Sequence, residues 1–122
     1  MQLETMRPNP AWDEASYEDA VAAFAAVADE ITVRVWGGDW CKDCRAQLPD
    51  FGAALDAAGV PEDRVHHYPV EKNDDGSKSG ELVDEYGVEL IPTVVVERDG
   101  EEVARFVEDE PVPIVVYLAD RL

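Results

Sequence analysis

Val33-Arg34-Val35-Trp36-Gly37-Gly38-Asp39-Trp40-Cys41-Lys42-Asp43-Cys44 is the stretch of the 122-residue chain whose reading decides the fold. Ile31–Trp36 is short and β-branched, apolar apart from Thr32 and Arg34, and predicts a strand. Gly37 and Gly38 end it. From about Cys41 to Ala58 the pattern is helical, with Pro49 expected to interrupt or kink it and Gly59 just past its end. The two cysteines therefore stand where a strand turns into a helix. Three residues apart, they share a helix face and are close enough to bridge. Cys41 falls in the first turn, where unpaired N–H groups and the positive end of the helix dipole favour an anion. A thiolate is such an anion, and the thiolate is the attacking species in disulfide exchange. Cys44 is then placed to resolve a mixed disulfide.

The flanking chain supplies the frame. Ser16-x-x-Asp19 reads as a capping pattern, and Ala20, Val21, Phe24, Val27 and Ala28 recur at helical spacing, predicting a helix from about Tyr17 to Glu30. Arg64–Val70 predicts a second strand, Asn73–Ser77 a loop, and Glu81–Tyr86 a short helix closed by Gly87. Thr93–Glu97 contains a continuous valine run that suggests burial on both faces. Asp99-Gly100 is a strong hairpin signal, with Glu102–Val107 as the partner strand. Pro111 and Pro113 open a last helix to about Leu122, with Ile114, Val115 and Leu118 on its apolar side. Helices alternating with strands, then a hairpin, argue for a central mixed sheet with helices on both faces. No repeat or low-complexity linker divides the chain, so 1–122 reads as one domain, with 1–15 as a lead-in anchored by Trp12.

Taken together, Trp40-Cys41-Lys42-Asp43-Cys44, Pro49, Ile91-Pro92-Thr93 and Asp99-Gly100 resemble the thioredoxin family over about Ser16–Leu122. The resemblance implies a thioredoxin-like three-layer α/β/α sandwich and a thiol–disulfide oxidoreductase. In that reading Cys41 attacks and Cys44 resolves. Trp40, Ile91, Pro92 and Thr93 form the substrate surface, with a cis proline at Pro92. Disulfide-containing proteins or small molecules are the substrates, and a separate reductase is the electron donor. No metal or organic cofactor is implied. The sequence departs from the family pattern at three places. Lys42 and Asp43 replace Gly-Pro between the cysteines; Lys42 favours the thiolate by its charge and Asp43 opposes it. Val35 stands where the family carries a buried Asp. His67 stands where a basic residue usually faces that Asp. An imidazole titrates in the range useful for proton transfer to or from Cys44; the plainer reading of His67 is a strand residue packed near the site. A peptide-binding module without turnover, or a disulfide oxidase or isomerase, are the rival functions.

Composition narrows the field. Ten basic against 28 acidic residues leave a formal net charge of −18, which repels phosphate backbones and anionic lipid, so neither nucleic acid nor membrane is an expected partner. The 46% hydrophobic share is that of a folded domain, so the acidity does not signal disorder. Seven of the ten basic residues are Arg, and molar salt would screen so acidic a surface, which fits a salt-rich cytosol; the blander alternative is an acidic mesophilic protein. Met1–Pro10 has one Arg and no apolar segment, so no secretory leader is expected, and a monomeric cytoplasmic protein working in the reducing direction is. Zinc would need Cys41, Cys44, His66 and His67 together, and neighbouring histidines on a strand point to opposite faces. A buried cysteine pair with no redox role is the remaining alternative.

Overall fold

The computed structural model describes residues 3–122; whatever the lead-in reading says of Met1 and Gln2 lies outside them. Four strands make the main sheet: β1 (Ile31–Gly37), β2 (Val65–Pro69), β5 (Thr93–Arg98) and β6 (Glu101–Val107), in the order β2-β1-β5-β6. β1 runs parallel to β2 and antiparallel to β5, and β6 is antiparallel to β5. The sheet is therefore mixed, as the helix–strand alternation and the hairpin demand. Asp99 (φ 54°) and Gly100 (φ 81°) both take left-handed backbone, the condition for a turn whose twist matches its flanking strands. A bulge follows: Val96 pairs with Ala104 but Glu97 with Glu102, which leaves Val103 without a partner.

Strand alternation sorts the side chains into two faces. Val33, Val35, Val94, Val96, Ala104 and Phe106 point one way and are all buried. Three helices cover this face: α1 (Glu18–Ala26), α2 (Lys42–Ala58) and α4 (Ile114–Ala119). Phe24 of α1 meets Phe51 of α2 edge-on at 6.2 Å, and Phe106 meets Tyr117 of α4 edge-on at 5.4 Å. The opposite face carries Arg34, Trp36, Tyr68 and Glu97. Its cover is a single turn, α3 (Val83–Tyr86). Trp36 packs between Tyr68 and Tyr86, with ring centroids 4.8 and 4.9 Å away, and donates its indole N–H to the Glu81 carbonyl at 2.9 Å. Glu97 takes Arg34 on one oxygen (2.7 Å) and the Tyr86 hydroxyl on the other (2.6 Å), so the polar groups beneath this thin layer are paired.

Several elements differ from expectation for local reasons. Ser16 does not cap α1: its hydroxyl donates to Asp13 at 2.6 Å, and Glu14–Tyr17 forms a separate 3-10 turn. α1 stops at Ala26, because Val27 leaves helical backbone and accepts the N–H groups of Glu30 and Ile31, turning the chain tightly into β1. α2 runs unbroken through Pro49 and ends at Gly59 in left-handed backbone (φ 75°), which releases the chain toward β2. The expected 73–77 loop closes an extra two-stranded hairpin, β3 (Glu71–Lys72) with β4 (Lys78–Ser79), tied by Asn73 N–H to the Ser77 carbonyl at 2.8 Å. α4 is six residues long, since Pro111 and Pro113 stay outside it and Pro113 serves as its N-cap. At the start, Leu3, Thr5 and Met6 are buried around a 3-10 turn, Glu4–Met6, laid against α2.

Candidate active site

β1 delivers Gly37 and Gly38, and α2 begins at Lys42, so both cysteines lie at the sheet-to-helix corner. Cys41 is one step earlier than the expected first turn. It is the N-cap, with extended backbone (φ −85°, ψ 124°), and its sulfur accepts the Cys44 N–H at 3.4 Å. An N-cap side chain sits where the unpaired N–H groups of the first helical turn converge. Both thiols are free and the two cysteines are 3.1 Å apart. Their surroundings differ. Cys41 keeps 9% of its surface and Cys44 none. Burial pushes the Cys44 thiol up to about 12; the Gly38 N–H pulls the other way, while Cys41 and Asp43 add to the rise.

Trp40 is half exposed, and its ring lies on the bare backbone of Gly38: a Cβ there would sit 2.5 Å from the indole nitrogen. The indole N–H donates to the Val70 carbonyl at 2.9 Å, and Val70 N–H donates to Gly37 at 2.8 Å. The loop before Cys41 is thereby stapled to the end of β2. Ile91, Pro92 and Thr93 approach from the start of β5, and the Ile91–Pro92 peptide bond is cis. The Ile91 carbonyl lies 4.0 Å from the Cys41 sulfur, and the Pro92 carbonyl accepts Glu108 N–H at 2.7 Å. All three side chains are buried; Thr93 is a pin, its hydroxyl donating to Leu90 O at 2.6 Å. Exposed Leu90, unremarked in the sequence, stands beside them. Lys42 and Asp43 are exposed.

His67 pairs in register with Val35, on the α2 side of the sheet. It makes no hydrogen bond to either cysteine among the described residues. Its Nδ1 accepts the Leu3 N–H at 3.0 Å. Asp39 accepts the N–H groups of Glu4 (3.3 Å) and Thr5 (3.0 Å). Leu3, Asp39 and Gly52 are the neighbours that sequence reading missed; the only local hint was an isolated glycine inside a helix, which costs stability unless something packs there.

The molecule, a mixed four-stranded sheet with a cysteine pair at the β1–α2 corner and a proline loop against it, is similar to several solved structures. Mitochondrial thioredoxin 3 from Saccharomyces cerevisiae, in its oxidized form, superposes with a TM-score of 0.51 over 75% of this chain and 80% of its own, at 19% identity. This chain has a thioredoxin fold. A mutant thioredoxin from Halobacterium salinarum NRC-1 aligns over 98% of this chain and 91% of its own, at 21% identity and a TM-score of 0.49. No protein-family model and no curated protein matches the chain. Trp40 and Leu90 are the exposed large apolar side chains nearest in sequence to the cysteines and the proline loop.

Proposed function

We propose that the protein is a thiol–disulfide oxidoreductase that reduces protein or small-molecule disulfides. The observation that carries this is the unequal pair: a thiol at the N-cap of α2 with some exposed surface, beside a fully buried one. The Cys41 thiolate attacks one sulfur of the substrate disulfide, forming a mixed disulfide and releasing the other as a thiolate that takes up a proton. Cys44 then loses its proton and attacks the Cys41 sulfur. The mixed disulfide breaks, the second substrate thiol leaves, and a Cys41–Cys44 disulfide remains. Two electrons pass from protein to substrate, so a separate reductase must return them. Trp40, Ile91, Pro92 and Thr93 frame the substrate chain, Trp40 and Leu90 by exposed apolar surface and the proline loop by its backbone beside Cys41. Lys42 and Asp43 tune the pair through their opposed charges.

Insulin disulfide reduction driven by dithiothreitol tests the proposal. The native protein is expected to raise the rate well above the Cys41→Ser variant, and Cys44→Ser to accumulate a mixed disulfide with the substrate. A native rate no higher than that of Cys41→Ser would point to a peptide-binding module. Titration of the Cys41–Cys44 couple against glutathione separates a reductase from an oxidase or isomerase, because potentials on this fold span more than about 100 mV.

A further inference from the structure

The turn Leu3–Met6 is tied to the cysteine corner at several points. Leu3 N–H is held by His67 Nδ1 at 3.0 Å. Glu4 and Thr5 N–H are held by the two oxygens of Asp39, two residues before Cys41. Leu3, the N-cap of this 3-10 turn, has no side-chain acceptor, so Asp39 caps it from across the molecule. The Leu3 side chain reaches the site itself. A Cβ built on Gly37 would lie 3.4 Å from Leu3 Cδ1 and 3.3 Å from Cys44 Sγ, so both border the space that Gly37 leaves empty. Where the turn crosses α2, a Cβ on Gly52 would come within 2.1 Å of the Met6 carbonyl oxygen. The turn seats only because α2 has no side chain there.

We propose that Leu3–Met6 is a latch that keeps Cys44 out of water, that Asp39 and His67 are the positioning residues that close it, and that protonation of His67 opens it. A backbone N–H can only donate, so the bond from Leu3 requires a lone pair on Nδ1. A protonated imidazole carries N–H on both nitrogens and turns that acceptor into a second donor. The surroundings favour the neutral ring. Burial is the first cause that lowers the His67 pKa from 6.5 and His66 adds to it, while the Asp39 and Glu62 carboxylates oppose the shift. Arg7 and Asp56 line the same cleft as His67 and Glu62. A folded pKa below the unfolded one means the contribution is fully present above about pH 6.5 and is lost as pH falls through the lowered value. The latch is therefore closed at neutral pH and opens in mild acid. While closed, both ring nitrogens are taken, Nδ1 by Leu3 and Nε2 by its own proton, so His67 has no lone pair to offer Cys44.

The consequence for catalysis rests on the redox reading, but the latch is measured without it. Amide exchange of Leu3–Met6 in the reduced protein reads the latch directly, with the amides of β1 and β5 as the control for global folding. Protection of Leu3–Met6 is expected to fall by up to about tenfold per pH unit as pH drops from about 6.5 toward the lowered His67 value, while the β1 and β5 amides keep theirs. His67→Asn places an amide oxygen near the position of Nδ1 and does not titrate, so its protection should be flat with pH. Gly52→Ala should strip protection from Leu3–Met6 at every pH and, in a Cys41→Ser background, speed alkylation of Cys44. Native protection unchanged in acid, a His67→Asn profile that falls like the native one, or a Gly52→Ala protein with the turn still protected would each overturn the proposal. If the latch titrates and insulin is not reduced, the redox reading fails and the latch stands; the reverse result separates them equally well.

Discussion

Gly38 serves two neighbours at once. Its N–H draws the Cys44 pKa down, and its missing Cβ leaves room for the Trp40 ring, whose N–H reaches Val70. Gly38→Ala is expected to push the indole away and lose its hydrogen bond, with a destabilisation of about 1–3 kcal/mol and a red shift of the tryptophan emission on denaturant titration. Cys44 makes a second prediction. Its folded pKa of about 12 lies above the ordinary thiol value of 9.0, so its contribution is whole below about pH 9 and lost as pH rises above it. Unfolding free energy of the reduced protein should decline more steeply above pH 9 than that of Cys44→Ala, measured by urea titration. Equal slopes would show that burial does not hold this proton. The cysteines and the proline loop were legible in sequence because residue type and short spacing carry their chemistry. Leu3, Asp39 and Gly52 were not, because Leu3 meets His67 across 64 positions and Thr5 meets Asp39 across 34.

Among the elements, those with a strong period were legible and those set by a single side chain were not. β1, β5 and the Asp99-Gly100 hairpin fall within a residue of expectation, since valine runs and left-handed turn residues are local signals. Ser16 misled because its hydroxyl had a nearer partner in Asp13, and the β3–β4 hairpin was hidden because its ladder is two residues long. α1 illustrates how little such an element depends on its cap. Phe24 is fully buried and set edge-on to Phe51, joining α1 to α2. Phe24→Ala is expected to cost about 3–5 kcal/mol, read as a lowered urea midpoint, against less than about 0.5 kcal/mol for Ser16→Ala on the exposed surface. A large Ser16→Ala effect would mean that the 3-10 turn, rather than the core contact, fixes α1.

For the molecule as a whole, charge dominates. Among the described residues three ion pairs form, Arg34–Glu97, Arg98–Glu30 and Arg105–Glu102, against 28 acidic residues in the chain. Most carboxylates therefore face water without a cationic partner, and their mutual repulsion opposes the compact state. Adaptation to salt-rich surroundings and an ordinary acidic mesophilic surface predict different responses to salt, and a KCl series tests the former. The melting temperature is expected to climb from low to molar KCl as the screening length falls to about 3 Å, and a flat series would sink the reading. No described helix is long and apolar enough to cross a membrane.

The open borders of the sheet give that charge another task. Among the described residues, β2 and β6 each have one side without a neighbouring strand, and such borders invite a second copy to pair. Glu101 and Glu102 and the irregularity at Val103 guard β6, whereas Val65–Pro69 has no acid of its own and only Pro69 to stop a pairing strand. At low salt the repulsion between whole molecules keeps these borders apart. The same molar salt that relieves strain within one molecule removes that distance between two, so the conditions that favour the folded chain also leave its β2 border least defended against strand-to-strand association.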